Sequence, residues 1–351
     1  MDALKAAVLT ALKSPLVIED VPIPEFGSKD VLIKVKQCGI CVTDVHIASG
    51  ARPVGQLPFI MGHEGVGVVE ASGNEVTQFS KGDRVLMSPL VSCGMCANCS
   101  VGRDNLCEHR YLIGISPGRQ GVYAEYAAIP ERNLFKLPEE IPYSDGVLIT
   151  SGLASSFHGA RRADFKVSET ACIYGLGALG KLLVLVLKAF GASLVIGVAR
   201  REKSLKDAEN FGVDYLIDSS KQDPVEQIKK LTGGKGVDVG FEAAGNHEAI
   251  LQAIASTRAG GRTCTLGVPF YHVIMDFKDD LGFFHEICEK EATIINAWGY
   301  LRQEFPMMVK MVEKGLIDFS PCRTKIIPLD EVNEGLRLSQ KGDYTRIMIG
   351  F

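Results

Sequence analysis

No apolar run in this chain reaches the ~20 residues that a membrane-spanning helix requires. The longest candidate, Leu182 to Phe190, is interrupted by Lys188. The opening Met1-Asp2-Ala3-Leu4-Lys5 lacks the charged-then-apolar pattern of a secretory leader. An excess of charge of either sign is missing too. Lys and Arg number 38 and Asp and Glu 42, a formal net charge of -4 with pI near 6.0. That balance leaves no basis for general affinity for nucleic acid or anionic membranes. There is no internal repeat and no low-complexity segment. These absences exclude membrane, secreted and nucleic-acid-coating classes and predict a soluble cytoplasmic protein. What is present is the ordinary balance of a globular chain, 46% hydrophobic and 23% charged over 351 residues. That length buries a large core and predicts two domains.

Four of the ten cysteines stand close together, in the run SCGMCANCSVGRDNLC. Two intervening residues let a loop fold back on one metal, so Cys93, Cys96, Cys99 and Cys107 suit four thiolates around a tetrahedral zinc. Gly94, Gly102 and Asn105 permit the turns that aim the sulfurs inward. A disulfide pair is the alternative, but it belongs to oxidising compartments, and nothing else in the chain looks secreted. The reading is a closed structural zinc lobe over about residues 92–108.

The pattern of the first part is many short strands. Ala6 to Thr10, Val31 to Cys38, Gly65 to Ala71 and Arg84 to Met87 are rich in Val and Ile and bounded by turn residues. A helical stretch with Leu148, Leu153 and Phe157 begins after about Pro142. From Thr170 the chain alternates strand and helix through about Leu266, which predicts a parallel sheet with helices on both faces. The fold class is therefore α/β: a β-rich domain over residues 1–155 and 297–351, and a doubly wound domain over 156–296. The terminal run Arg346-Ile347-Met348-Ile349 is a strand that returns to the first domain.

Gly175-Leu176-Gly177-Ala178-Leu179-Gly180 follows a strand and opens a helix, the setting of a dinucleotide-binding turn. Gly175 makes the turn, Gly177 admits the pyrophosphate, and Gly180 lets helix and strand pack closely. The backbone N–H groups of Ala178 and Leu179 lie at the helix N-terminus that receives the anion. An acid at the end of the next strand would accept from the 2′-hydroxyl of NAD. This chain reads Val198-Ala199-Arg200-Arg201-Glu202 instead. Arg200 and Arg201 suit the 2′-phosphate of NADP(H), which is favoured over NAD(H). Glu202 is the alternative acid, one or two positions late.

Two further loops carry metal-ligand chemistry. Cys41 in Gly39-Ile40-Cys41-Val42-Thr43-Asp44-Val45-His46 and His63 in Gly62-His63-Glu64-Gly65 can share a zinc that keeps a position open to substrate. Such a zinc polarises a carbonyl or lowers the pKa of an alcohol. Thr43 and His46 can then relay the alcohol proton, hydroxyl to imidazole. Cys38 reads as a core thiol despite the CxxC it forms with Cys41.

The order GICxTDxH, GHE, CxxCxxCx7C and GLGxLG resembles the zinc-dependent alcohol dehydrogenases of the medium-chain dehydrogenase/reductase superfamily, over essentially the whole chain. The resemblance implies a GroES-like catalytic domain and a Rossmann coenzyme domain. It implies Cys41 and His63 as catalytic zinc ligands, Thr43 and His46 as the relay, and Cys93, Cys96, Cys99 and Cys107 as structural zinc ligands. Phe157-His158-Gly159-Ala160, with the arginines after Val198, looks closest to NADP-dependent bacterial secondary alcohol dehydrogenases. One position departs. The family's third catalytic ligand, Cys, Asp or Glu, falls at Ser151 in Ile149-Thr150-Ser151-Gly152-Leu153, and a serine hydroxyl is a poor zinc ligand. Glu64 beside His63 can take its place. Otherwise Ser151 binds through its hydroxyl or a water, or that site holds no metal.

The reading is therefore an enzyme with one structural and one catalytic zinc that interconverts a small-molecule alcohol and a ketone or aldehyde with NADP(H). A reductase of an activated C=C bond, with an altered or absent catalytic zinc, is the alternative. A zinc-containing binding or regulatory protein is a third reading, against which the intact Thr43 and His46 argue. The loop Ser49 to Phe59 and the aromatics Phe270, Tyr271, Phe283 and Phe284 are candidate pocket residues. The resemblance implies a homodimer or homotetramer, with Thr293-Ile294-Ile295-Asn296-Ala297-Trp298 as a strand able to pair across a two-fold axis. An internal edge strand is the other reading of that run.

Overall fold

Apolar and charged residues alternate where the first large sheet is built: in the strand Asp30–Ile40, Ile33 and Val35 are buried while Lys34 between them is exposed. A computed structural model of the protein describes residues 3–267 and 287–351. The chain divides into two units. One comprises Met1–Ala154, Leu301–Gly315 and Cys322–Phe351, the other Ser155–Tyr300 and Leu316–Pro321. Among the described residues no helix is long and apolar enough to cross a membrane.

In the first unit the strands run in the order Leu134–Lys136, Arg84–Met87, Glu64–Ser72, Asp30–Ile40, Arg346–Gly350 and Thr324–Pro328, with Tyr126–Pro130 also paired to Asp30–Ile40. Asp30–Ile40 is antiparallel to Glu64–Ser72, and Gly39 lies opposite Glu64. On its other side it is antiparallel to the C-terminal strand, with Met348 opposite Gly39. The terminal strand thus returns to this unit, as its apolar run predicts. The consequence is local: Gly39 has Glu64 on one flank and the strand carrying Arg346 on the other. An added Cβ on Gly39 would stand 2.1 Å from Glu64 Oε2 and 2.8 Å from Val147 Cγ1, so only glycine leaves room for that carboxylate.

In the second unit six strands form one parallel sheet in the order Tyr215–Asp218, Leu194–Ala199, Thr170–Tyr174, Val237–Glu242, Thr257–Thr265 and Thr293–Asn296. The central strands are continuous apolar runs, Ala171 to Tyr174 being buried throughout, because helices cover both faces of such a sheet. Helices Ala178–Ala189, Glu202–Glu209, Pro224–Leu231 and His247–Ala255 provide the crossovers. Two start with side-chain caps: Asp223 accepts from the Val225 and Glu226 N–H groups, and Asn246 accepts from Ala249. The strand order reverses between Thr170–Tyr174 and Val237–Glu242, which in doubly wound sheets marks the ligand-binding crevice. Among the described residues Thr293–Asn296 is one of the two edge strands, and it exposes Ile294 at 40%.

Candidate functional site

Thiols, imidazole and carboxylate come together in the first unit because three backbone segments converge. Cys41 is the N-cap of the helix Val42–Ala48, and Asp44 in its first turn accepts the Cys41 N–H at 2.8 Å. His63 and Glu64 stand at the start of the strand Glu64–Ser72. Ligand atoms of Cys41, His63 and Glu64 all lie within 4.8 Å of one another. Asp44 Oδ1 approaches His63 Nδ1 to 3.3 Å, so the ring presents Nε2 to Glu64 Oε1, 4.0 Å away. Metal-binding imidazoles are held by a carboxylate on the far nitrogen in the same way. From the C-terminal strand, Arg346 Nε comes within 3.1 Å of Glu64 Oε2, and its Nη1 donates to the Ile40 carbonyl at 3.3 Å.

The electrostatics of this group suit a cation. Glu64 is 0% exposed, yet among the described residues neither carboxylate oxygen accepts an aligned hydrogen bond. Asp44 Oδ1 and His63 Nδ1 are likewise buried without one. Burial alone would push the His63 imidazole down, but Asp44 and then Cys41 beside it hold it well above its usual range. Arg346 answers the same field: burial opposes its charge, and Glu64 and then Cys41 hold it fully protonated. A thiolate, an imidazole nitrogen and a carboxylate within one coordination sphere are a fitting zinc donor set.

Thr43 and His46 occupy the helix Val42–Ala48 three residues apart, hence on one face. Thr43 Oγ1 lies 3.7 Å from Cys41 Sγ, and both residues are half-buried. Burial, and then the charge of Arg52, lower the His46 pKa from its usual value. Ser151 sits half-buried in a single π-helical turn, Ile149–Leu153, a local geometry common at functional sites. Its hydroxyl brings no negative charge, whereas the Glu64 carboxylate does. Cys38 is fully buried in the core of this unit, where burial, followed by Asp44, raises its thiol well above the usual range.

In the four-cysteine lobe the sulfurs of Cys93, Cys96, Cys99 and Cys107 lie within 4.8 Å of one another, and none is in a disulfide. The Cys96–Cys99 and Cys93–Cys99 separations are 3.5 and 3.9 Å. Four sulfurs ~2.3 Å from one zinc stand about 3.8 Å apart, so the lobe has the right size. Backbone N–H groups already point at the sulfurs: Cys93 donates to Cys107 Sγ at 3.2 Å, and Cys96 to Cys93 Sγ at 3.3 Å. Such donors lower Cys93, and those of Cys99 and Glu108 bring Cys96 down to about 6. Cys99 is pushed up to about 12, first by burial and also by its neighbouring thiols, a crowding that a dication relieves.

The second unit contributes the glycine turn. Gly175, with φ +101, follows the strand Thr170–Tyr174, and a Cβ there would collide with Ala244 at 2.7 Å. A Cβ on Gly180 would lie 1.9 Å from the Gly175 carbonyl oxygen, so helix and turn touch through backbone. Among the described residues nothing lies within 4 Å of such a Cβ on Gly177, which leaves the open approach a pyrophosphate needs. Ala178 and Leu179 form the first turn of the 12-residue helix Ala178–Ala189 behind it. Arg200 and Arg201 are exposed just past the strand Leu194–Ala199, and Arg201 caps the helix Glu202–Glu209. Phe157, His158, Gly159 and Ala160 are buried in the helix Ala154–Arg162. Phe270, Tyr271, Phe283 and Phe284 lie outside the described residues.

A GroES-like sheet with a Cys-His-Glu group, a four-cysteine lobe and a dinucleotide-type turn define a zinc-dependent, nicotinamide-linked oxidoreductase. The chain matches the family models described as alcohol dehydrogenase GroES-like domain, over residues 27–139, and zinc-binding dehydrogenase, over residues 178–314. It is 32% identical to the sorbitol dehydrogenase of Bacillus subtilis (strain 168) over 99% of this chain and 97% of that protein. Its structure is similar to that of 2R,3R-butanediol dehydrogenase from Bacillus subtilis, with TM-score 0.88, 30% identity and 99% of each chain covered. It is also similar to a zinc-binding dehydrogenase from Sinorhizobium meliloti 1021 bound to NADP, with TM-score 0.89, 29% identity and 100% of each chain covered. The chain belongs to the zinc-dependent alcohol dehydrogenases of the medium-chain dehydrogenase/reductase superfamily, oxidoreductases that act on CH–OH groups.

Two residues of the candidate site carry no signal in the sequence. Asp44 lies inside the quoted Cys41 motif, but its contact with His63 depends on a helix starting at Cys41. Arg346 comes from the opposite end of the chain and reads there only as part of an apolar strand.

Proposed function

We propose that Cys41, His63 and Glu64 hold a catalytic zinc at which an alcohol and its ketone or aldehyde are interconverted with NADP(H). The observation that carries this reading is the buried group itself, with both Glu64 oxygens lacking an aligned hydrogen bond. When bound, the metal supplies Lewis-acid polarisation of the C–O group, and the nicotinamide supplies the hydride partner. Asp44 fixes the His63 ring so that Nε2 faces the metal position. Thr43 takes the alcohol proton on its hydroxyl and passes its own to the His46 imidazole, one turn along the helix. In the reverse direction the same pair delivers the proton to the forming alcohol. Cys93, Cys96, Cys99 and Cys107 hold a second, structural zinc with no open position. Gly175, Gly177, Ala178, Leu179 and Gly180 receive the pyrophosphate, and Arg200 and Arg201 the 2′-phosphate. The NADP-bound relative supports that coenzyme preference. Sorbitol and 2,3-butanediol both carry a secondary hydroxyl beside another, and we take a polyol or diol and its ketone as the substrate class. We place the protein in the cytoplasm as a homodimer or homotetramer, with the edge strand Thr293–Asn296 as the pairing element.

The product formed from NADPH and an enone tests the reaction type. Reduction at the carbonyl, giving an allylic alcohol, is the expected result. A saturated ketone would instead mean hydride delivery to the β-carbon, the double-bond reductase that Ser151 in place of a third ligand would suit.

The relay carries a pH signature. Burial and then the charge of Arg52 both favour the neutral His46 imidazole, the form able to accept a proton. Protonation at lower pH removes that capacity, so kcat for alcohol oxidation should fall on the acid side, with its limb displaced to lower pH than a free imidazole would give. Arg52→Gln removes the second cause of the depression and should move the limb upward. A limb that stays put, or moves down, would argue that His46 is not the acceptor.

A further inference from the structure

Glu242 ends the strand Val237–Glu242, opposite Tyr174, the residue before Gly175. Its side chain is 0% exposed and has no part in the chemistry described above. A carboxylate removed from water costs several kcal/mol unless its oxygens are bonded, so this one needs a reason. Oε1 accepts two backbone N–H groups, from Ala244 at 2.6 Å and Gly245 at 2.5 Å. Among the described residues the buried Oε2 accepts no aligned hydrogen bond, and it faces Gly267, where an added Cβ would lie 2.8 Å from it. The Leu266 and Gly267 N–H groups donate to the Glu242 carbonyl at 2.8 and 3.1 Å. Burial pushes the carboxyl up from its usual range, against the Gly245 and Ala244 N–H groups that its side chain accepts.

The segment gathered in this way presses on the glycine turn. The Ala243 N–H donates to the Tyr174 carbonyl at 2.8 Å. A Cβ on Gly175 would meet Ala244 N at 2.7 Å and Ala244 Cβ at 2.8 Å. Residues 243–245 therefore form the wall against which Gly175 rests, and the Glu242 side chain is what ties that wall down. We propose that Glu242 is a positioning residue for the dinucleotide: by holding Ala244 and Gly245 it keeps Gly175 in its turn, and so sets coenzyme affinity without touching the coenzyme. The proposal rests on the dinucleotide reading of the glycine turn.

The test uses the full-length, zinc-loaded protein and measures the NADPH Kd from the fluorescence of the nucleotide, with KM, kcat at saturating coenzyme, zinc content and Tm alongside. Glu242→Ala leaves two buried N–H groups unpaired, and the coenzyme Kd and KM should both rise about tenfold or more. Zinc content and kcat at saturation should stay near wild type. Glu242→Gln, whose amide oxygen accepts the same two bonds, should recover most of the affinity. A role confined to stability would lower Tm and leave the Kd of the folded protein unchanged, which overturns the proposal. A Gln variant as weak as the Ala variant also overturns it. Should Glu242→Ala not fold, Glu242→Asp decides. Its shorter side chain cannot span both N–H groups, and a wild-type Kd there refutes the role. Wild-type protein that binds neither NADPH nor NADH would defeat the dinucleotide reading itself, a result visible before any variant is made.

Discussion

His63→Ala should abolish turnover while leaving the fold in place, a loss of roughly a thousandfold or more, equal to ~4 kcal/mol of barrier. The imidazole is the only neutral donor in the Cys41, His63 and Glu64 group, and Asp44 holds its ring in position. Without it two anionic ligands remain, with Arg346 already 3.1 Å from Glu64 Oε2 and able to neutralise that carboxylate in place of a metal. The bound zinc should fall by one per chain, and the four-cysteine lobe should keep its own. Steady-state assays combined with metal analysis check both halves. Unchanged turnover would remove His63 from the mechanism.

Arg200→Ala with Arg201→Ala should raise the KM for NADPH about a hundredfold and leave that for NADH within a few-fold. Each charge-assisted bond to a phosphate oxygen contributes about 1.5–3 kcal/mol, and the double variant removes at least one such pair. Both side chains are exposed past the end of the strand Leu194–Ala199, so their loss leaves the packed sheet intact. Equal losses for the two coenzymes would contradict a 2′-phosphate contact. A native preference for NADH would shift the role to Glu202, which stands in the first turn of the following helix.

The parts of this protein legible in the sequence are those whose geometry is local. The spacing of Cys93, Cys96, Cys99 and Cys107 dictates a folded-back loop, and the four sulfurs do converge. Gly180 stands where a side chain would strike the Gly175 carbonyl, five residues back in the same turn. The strands of the parallel sheet are legible because they are buried on both faces and therefore continuously apolar. What stayed hidden depends on register between distant segments. Arg346 reaches Glu64 because the C-terminal strand and Glu64–Ser72 flank the same strand, a pairing that no local pattern encodes. The strand Val17–Pro22, with sequence VIEDVP, is an edge strand with no buried position and so has no alternation to read. The helix Val42–Ala48 is short and contains four β-branched residues, Val42, Thr43, Val45 and Ile47, which resembles a strand continuation. Its cap at Cys41 is nevertheless what brings Asp44 under His63. The π turn at Ile149–Leu153 likewise has no sequence signature, although it places Ser151.

Zinc per chain, measured on protein purified without added metal, decides whether the Cys41, His63 and Glu64 group binds metal. Close to two is expected: one in the four-cysteine lobe, and one held by Cys41, His63 and Glu64 despite the serine at position 151. Close to one, retained after Cys41→Ser as well, would mean that only the lobe binds metal and would contradict a zinc-based alcohol chemistry.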